Sequence, residues 1–177
     1  MKTIPRSLFF ILVIFTVAFF LSENSVHASS AVVDNGGQPP FAVVDFETFY
    51  PWLNRDDDNI YVINFWATWC APCVRELPYF DRIHEQYSDN NVKVLLVSLD
   101  NPAHIESRVI PFLERMQIKS EVILLDDPRS SRWIPRVSAE WSGAIPATVI
   151  YSDTFRAFYE KEFSYDELEQ IIVPLIK

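Results

Sequence analysis

Glycine is scarce, with three residues in 177. That leaves little room for a Gly-rich loop cradling phosphate. Cysteine is scarcer still, with Cys70 and Cys73 alone. Two thiols exclude a multi-disulfide framework and a four-cysteine zinc site. Basic charge is also in deficit: 15 Lys and Arg stand against 24 Asp and Glu, a net charge of −9. With no basic stripe, the chain is not built to bind nucleic acid. What is present in quantity is apolar: 49% of residues are hydrophobic and 15% aromatic. That excludes disorder for most of the chain. The length suggests one domain with a short appendage.

The appendage is N-terminal. Lys2 and Arg6 precede an apolar run from Leu8 to Leu21, 14 residues broken only by Thr16. A bilayer span needs about 20. A basic start, a short apolar centre and the small-residue exit Val26-His27-Ala28 describe a cleavable signal peptide over residues 1–28, with an uncleaved anchor as the alternative. Either places the rest in an extracytoplasmic, oxidising space, periplasmic or secreted. Membrane contact is expected only if the segment stays attached. Residues 29–40, with Gly36-Gly37 and Pro39-Pro40, read as a flexible lead-in to a domain over 41–177.

Within that domain, Asp45 can cap a short helix to about Asn54, with Phe46, Phe49 and Leu53 on one face. The Asp56-Asp57-Asp58 triplet lacks the spacing and glycine of a calcium loop and reads as a charged turn. Ile60–Trp66 and Val92–Leu99 are apolar on both faces, as buried central strands are. Between them runs a helical stripe, Leu77, Phe80, Ile83, His84 and Tyr87, in a helix over about 72–87. Asn101-Pro102 opens a helix to about Gln117, bent or restarted near Pro111. Glu121–Leu125 is a third strand and 128–137 a short helix. Ala147–Tyr151 and Arg156–Glu160 form a hairpin. Ser164 and Glu167 make a capping box for a terminal helix burying Leu168, Ile171, Ile172 and Leu175. Strands alternating with helices, followed by a hairpin, give an α/β domain with a central mixed sheet flanked by helices.

Both cysteines sit where the first buried strand turns into a helix, in Trp69-Cys70-Ala71-Pro72-Cys73. Residues three apart on a helix share a face, about 5–6 Å apart at Cβ, so a disulfide is within reach. Cys70 falls at the helix N-terminus, where unpaired N–H groups and the helix dipole stabilise a thiolate. Cys73 lies one turn inside. The asymmetry makes Cys70 the exposed nucleophile and Cys73 the shielded, resolving thiol. Pro72 supplies no N–H and stiffens the first turn. A structural staple is the alternative, but it would close a very short loop, where the entropic gain is least. A pair of thiolates could also hold Cu(I). No zinc site is expected, since His84 and His104 are not spaced to complete one; His84 reads as a core-edge residue and His104 as exposed. If the pair exchanges, the core alone must hold the fold.

The run Asn64-Phe65-Trp66-Ala67-Thr68-Trp69-Cys70-Ala71-Pro72-Cys73, then Glu76-Leu77-Pro78 and Ser142-Gly143-Ala144-Ile145-Pro146-Ala147-Thr148, resembles the TlpA/ResA-like branch of the thioredoxin superfamily. The likeness covers essentially the whole chain after the signal. It implies a thioredoxin-like fold, a secreted or membrane-tethered thiol–disulfide oxidoreductase, and no cofactor beyond a redox-active Cys70–Cys73 disulfide. It implies that Ile145-Pro146 is a cis-proline loop facing the cysteines, where spacing alone allows an ordinary trans turn. The free backbone of Ile145 could pair with an extended substrate. Trp69 and Pro72 complete the substrate-facing set. Asn64 stands where cytoplasmic thioredoxins carry a buried Asp. Glu76, three after Cys73, is then the group to move the second thiol's proton; on spacing alone a solvated helix Glu fits equally well. Pro78 matches a helix-kinking proline. Trp66 reads as packing; Trp133 and Trp141 read as core or as the lining of a partner groove. The turn Ser152-Asp153-Thr154 departs from the family by lacking glycine.

The resemblance further implies protein disulfide substrates, apocytochrome c among them, and a membrane-embedded electron donor. The alternatives are a periplasmic Cu(I) chaperone and a thiol peroxidase. Chaperone relatives usually carry a longer Cys spacer and a nearby ligand His, which this chain does not clearly have.

Overall fold

The computed structural model describes residues 39–177. The expected signal segment and nearly all of the expected lead-in lie outside the described residues. Among the described residues no helix is long and apolar enough to cross a membrane.

Strand β2, Ile60–Trp66, is buried at all seven positions. It lies inside the sheet, and both neighbours supply its backbone partners. β3, Val92–Ser98, runs parallel to it from Ile60↔Val92 to Trp66↔Ser98. β5, Ala147–Tyr151, runs antiparallel, with Asn64 opposite Thr148. β4, Glu121–Leu125, extends the parallel half, and β6, Arg156–Tyr159, completes the hairpin with β5. A further strand, β1, Ala42–Val44, pairs with β4 and closes one edge, giving the order β1-β4-β3-β2-β5-β6. β1 was not expected: three residues, two of them exposed, show no alternation to read.

The pleat divides β2 between two cores. Ile60, Val62 and Trp66 join Leu77, Phe80 and Ile83 of helix α2, Ala71–Tyr87, and Leu168 and Ile172 of the terminal helix. Each fully enclosed α2 side chain contributes on the order of 1.5–3 kcal/mol. Tyr61, Ile63 and Phe65 face the other way. They meet Phe46 and Phe49 of α1, Phe46–Phe49, as well as Leu53, Trp133 and Trp141. Both of those tryptophans are therefore core residues, 5% exposed each.

Several expected boundaries shift for local reasons. The first helix has Asp45 as its cap, with Oδ1 accepting from Thr48 N–H at 2.9 Å, but it tightens to a 3₁₀ turn over Tyr50–Leu53, where Pro51 enters. The helix after Asn101 begins as a short turn and then widens, with Ile110 N–H reaching back to the Ile105 carbonyl. The regular helix α3 spans only Ile110–Met116, with Pro111 in its first turn, where no N–H is needed. Helix α4 starts at Ser130, past Pro128. The capping box forms at α5, Tyr165–Ile172. Leu168 and Ile172 are buried there, while Ile171 and Leu175 are only half-buried. The glycine-free turn after β5 closes with Ser152 N–H donating to the Phe155 carbonyl at 2.8 Å. None of its residues has positive φ.

Candidate active site

The site lies at the carboxyl ends of the parallel strands, as is usual for α/β sheets. β2 ends at Trp66, and Ala67–Trp69 turn the chain into α2. Cys70 is the N-cap, extended at φ −90° and ψ 100°, and its Sγ accepts from Cys73 N–H at 3.3 Å. Its carbonyl accepts from Val74 N–H at 3.0 Å. Cys70 and Cys73 form a disulfide with Cα atoms 5.2 Å apart. Cys73 is fully enclosed. Cys70 is less exposed than expected, at 6%, because the 145–146 loop lies over it: its Sγ is 3.6 Å from the Ile145 carbonyl oxygen. The exposed residue is Trp69, at 64%, while Pro72 is half-buried in the first turn.

The Ile145–Pro146 peptide is cis. The loop leading to it is held from both sides. Trp141 Nε1 donates to the Ala144 carbonyl at 2.7 Å, and Ser142 donates to the Glu160 carboxylate through its hydroxyl and its N–H. Gly143 has φ +97°, and a Cβ there would meet Ile134 Cδ1 at 3.3 Å. The positive φ favours glycine, and any larger residue would also press on the Ile134 side chain.

Asn64 and Glu76 meet beneath the disulfide-bearing turn. Asn64 Nδ2 donates to Glu76 Oε1 at 2.8 Å and to Thr148 Oγ1 at 3.1 Å. Phe163 N–H donates to Glu76 Oε2 at 2.7 Å. Glu76 is fully enclosed and is not a solvated helix residue. Burial pushes its carboxyl up to about 7, against the two hydrogen bonds, which favour the carboxylate. A group poised there can exchange a proton near neutral pH. Asn64 Oδ1 has no hydrogen-bond partner among the described residues. Turning the amide over would let it accept from a protonated Glu76.

Asp100 is a site residue that sequence reasoning missed. It is 3% exposed and accepts from Thr68 N–H at 2.9 Å, Thr68 Oγ1 at 2.6 Å and Ser98 Oγ at 2.9 Å. It thereby fixes the turn immediately before Cys70. The signal lay in the β2–β3 register: once Trp66 stands opposite Ser98, the residues that follow each must meet. Asp100→Ala leaves these donors unpaired. It is expected to cost about 1–3 kcal/mol in a urea melt and to slow disulfide reduction, with Asp100→Asn recovering part of both. Equal stability and rate in the alanine variant would rule out this positioning role.

His84 is half-buried and His104 exposed. Among the described residues no group of three or more His, Cys, Asp or Glu could hold a metal ion.

A cysteine pair heading the helix after an interior strand, faced by a cis-proline loop, defines a thioredoxin-like thiol–disulfide oxidoreductase of the TlpA/ResA type. The chain belongs to the AhpC/TSA family, whose profile matches residues 51–154. It is 25% identical over 123 residues to the thiol-disulfide oxidoreductase ResA of Geobacillus thermodenitrificans, covering 70% of this chain and 69% of that one. Among solved structures it resembles a thioredoxin-related protein from Neisseria meningitidis serogroup B, with a TM-score of 0.57 and 19% identity over 68% of this chain and 87% of that one. A DsbF homologue from Corynebacterium diphtheriae gives a TM-score of 0.56 and 22% identity over 67% and 73%.

Proposed function

We propose that the protein is an extracytoplasmic reductant of protein disulfides. The observation that carries this reading is Cys70 Sγ at the head of α2, accepting the Cys73 N–H at 3.3 Å. In the reduced protein that position stabilises a Cys70 thiolate. The thiolate attacks one sulfur of a substrate disulfide. A Cys70–substrate bond forms and the substrate disulfide breaks, its second sulfur leaving as a thiolate. Cys73 gives its proton toward Glu76 and attacks Cys70 Sγ. The substrate's remaining sulfur leaves and takes up a proton, and the Cys70–Cys73 disulfide is formed. Two electrons have passed to the substrate. The backbone at Ile145 and the exposed Trp69 would hold the substrate segment beside Cys70.

Re-reduction by a membrane-embedded dithiol donor returns the pair to its starting state. The N-terminal segment over 1–28 supports placement outside the cytoplasm. So do similar structures described as secreted, from Mycobacterium tuberculosis and Corynebacterium glutamicum. No cofactor beyond the cysteine pair is needed.

The direction of electron flow is tested by thiol trapping in intact cells. A mostly reduced Cys70–Cys73 pair is expected, together with catalytic insulin reduction by the purified protein. A mostly oxidised pair would overturn the reductant reading. Stoichiometric Cu(I) binding without reduction, or rapid peroxide consumption, would replace it with one of the two alternatives.

A further inference from the structure

The turn before Cys70 forms one wall of a shallow cleft whose other wall is the segment around α3. Thr68, Trp69, Arg108, Pro111, Phe112 and Arg115 line it. Thr68 is occupied by Asp100, so the open faces are the Trp69 indole and the two guanidinium groups. Arg108 and Arg115 are exposed and seven residues apart, two turns on one side of this segment. Neither makes an ion pair among the described residues. Arg75, Lys119, Arg129, Arg136, Lys161 and Lys177 are paired with carboxylates, whereas Arg55, Arg82, Lys93, Arg132 and Arg156 also lack an ion pair; what sets Arg108 and Arg115 apart is their place in this cleft. No carboxylate lines the cleft. Glu114, on the same helix, belongs to a different cleft with Phe41 and Ile118.

A chain of net charge −9 repels acidic partners in general. Two arginines without carboxylate partners, Arg115 lying over the Phe112 ring at 5.4 Å, reverse that sign beside the turn that leads to Cys70. Arginine's planar fork also suits bidentate carboxylate recognition. An exposed indole alongside offers apolar contact to the same segment.

We propose that this cleft selects polypeptide substrates carrying Asp or Glu next to the target cysteine, with Arg108 and Arg115 taking the carboxylate and Trp69 the adjoining apolar surface. This deepens, and rests on, the reading of Cys70–Cys73 as an exchange pair. The occupant is a polypeptide because the cleft begins one residue from the sulfur that attacks.

The test uses the reduced protein at low ionic strength and three disulfide-bonded peptides that differ only in Glu, Gln or Lys beside the cysteine. The readout is the ratio of rates on the Glu and Lys peptides within each protein, so loss of general activity cancels. The wild type is expected to favour the Glu peptide by about tenfold, and the preference should collapse in 0.5 M salt. In Arg108→Glu/Arg115→Glu the ratio is expected to fall to about one or invert. In Arg108→Gln/Arg115→Gln, which adds no charge of its own, it should flatten without inverting. A wild-type ratio near one, or a preference that survives in both double variants, would overturn the proposal while leaving the exchange reading intact. A flat ratio together with binding to phosphatidylglycerol vesicles that the double variants lose would also overturn it, assigning the arginines to a membrane surface. If no peptide is reduced, including the Gln peptide, the exchange reading fails and takes this one with it.

Discussion

Cys73→Ala is expected to stop turnover and leave the protein covalently attached to the disulfides it attacks. Cys73 is fully enclosed, so alanine replaces a small apolar group with another and the core is little disturbed. Cys70 keeps its place at the head of α2 and can still attack. What is lost is the only second thiol in the chain. The mixed disulfide then has no intramolecular exit, and release waits on an external thiol. Insulin reduction should fall on the order of a thousandfold or more, and intact-mass spectra should show a one-to-one substrate adduct. Cys70→Ser should be equally slow but form no adduct, since Cys73 is beyond a partner's reach. Turnover retained in Cys73→Ala, or adducts in Cys70→Ser, would refute the assigned order of attack.

Glu76→Gln is expected to abolish a loss of stability that the wild type suffers as pH rises. The Glu76 carboxyl stands at about 7 in the fold, raised from 4.5. The folded protein therefore holds a proton that the unfolded chain releases. Stability from that proton is fully present below pH 4.5 and is lost as pH rises through 7. At about 1.4 kcal/mol per unit, the shift corresponds to about 3 kcal/mol. Urea melts of the oxidised protein should show the wild type weakening by about that much between pH 5 and 8, with the glutamine variant nearly flat. Asp127 and Glu167, held down at about 2 by Arg129 and Lys161, act in the opposite sense, but only below the chosen window. The pH profile of disulfide reduction should lose its inflection near 7 in the same variant. A wild type equally stable at pH 5 and 8 would remove Glu76 as the proton carrier.

The chemistry of this protein was more legible in its sequence than the scaffolding beneath it. The cysteine pair announces itself by spacing and by following a strand that is apolar on both faces apart from Asn64. Helical spacing puts Glu76 one turn beyond Cys73. But the carboxyl's surroundings come from three distant segments: Asn64 on β2, Thr148 on β5 and Phe163 beyond β6. No local pattern encodes their meeting, which depends on the Asn64↔Thr148 pairing and on how α2 lies across the sheet. Asp100 was silent for the same reason, being defined by a register rather than a motif. β1 was too short to show a period. Pro111 marked an irregularity correctly, yet the wide turn forms before it, because a proline fits the start of a helix better than its middle.

The cross-link spans only Ala71 and Pro72, so it removes less freedom from the unfolded chain than a longer loop would, about 2 kcal/mol. Closing or opening it therefore shifts the balance between folded and unfolded forms by that modest amount, and the larger share of stability rests on the two aromatic-rich cores. A molecule that alternates between dithiol and disulfide at every turnover would pass through a more deeply weakened phase if its cross-link closed a long loop. Here the same two cores persist in both phases, so the lifetime of the protein is expected to depend only weakly on the redox work it performs.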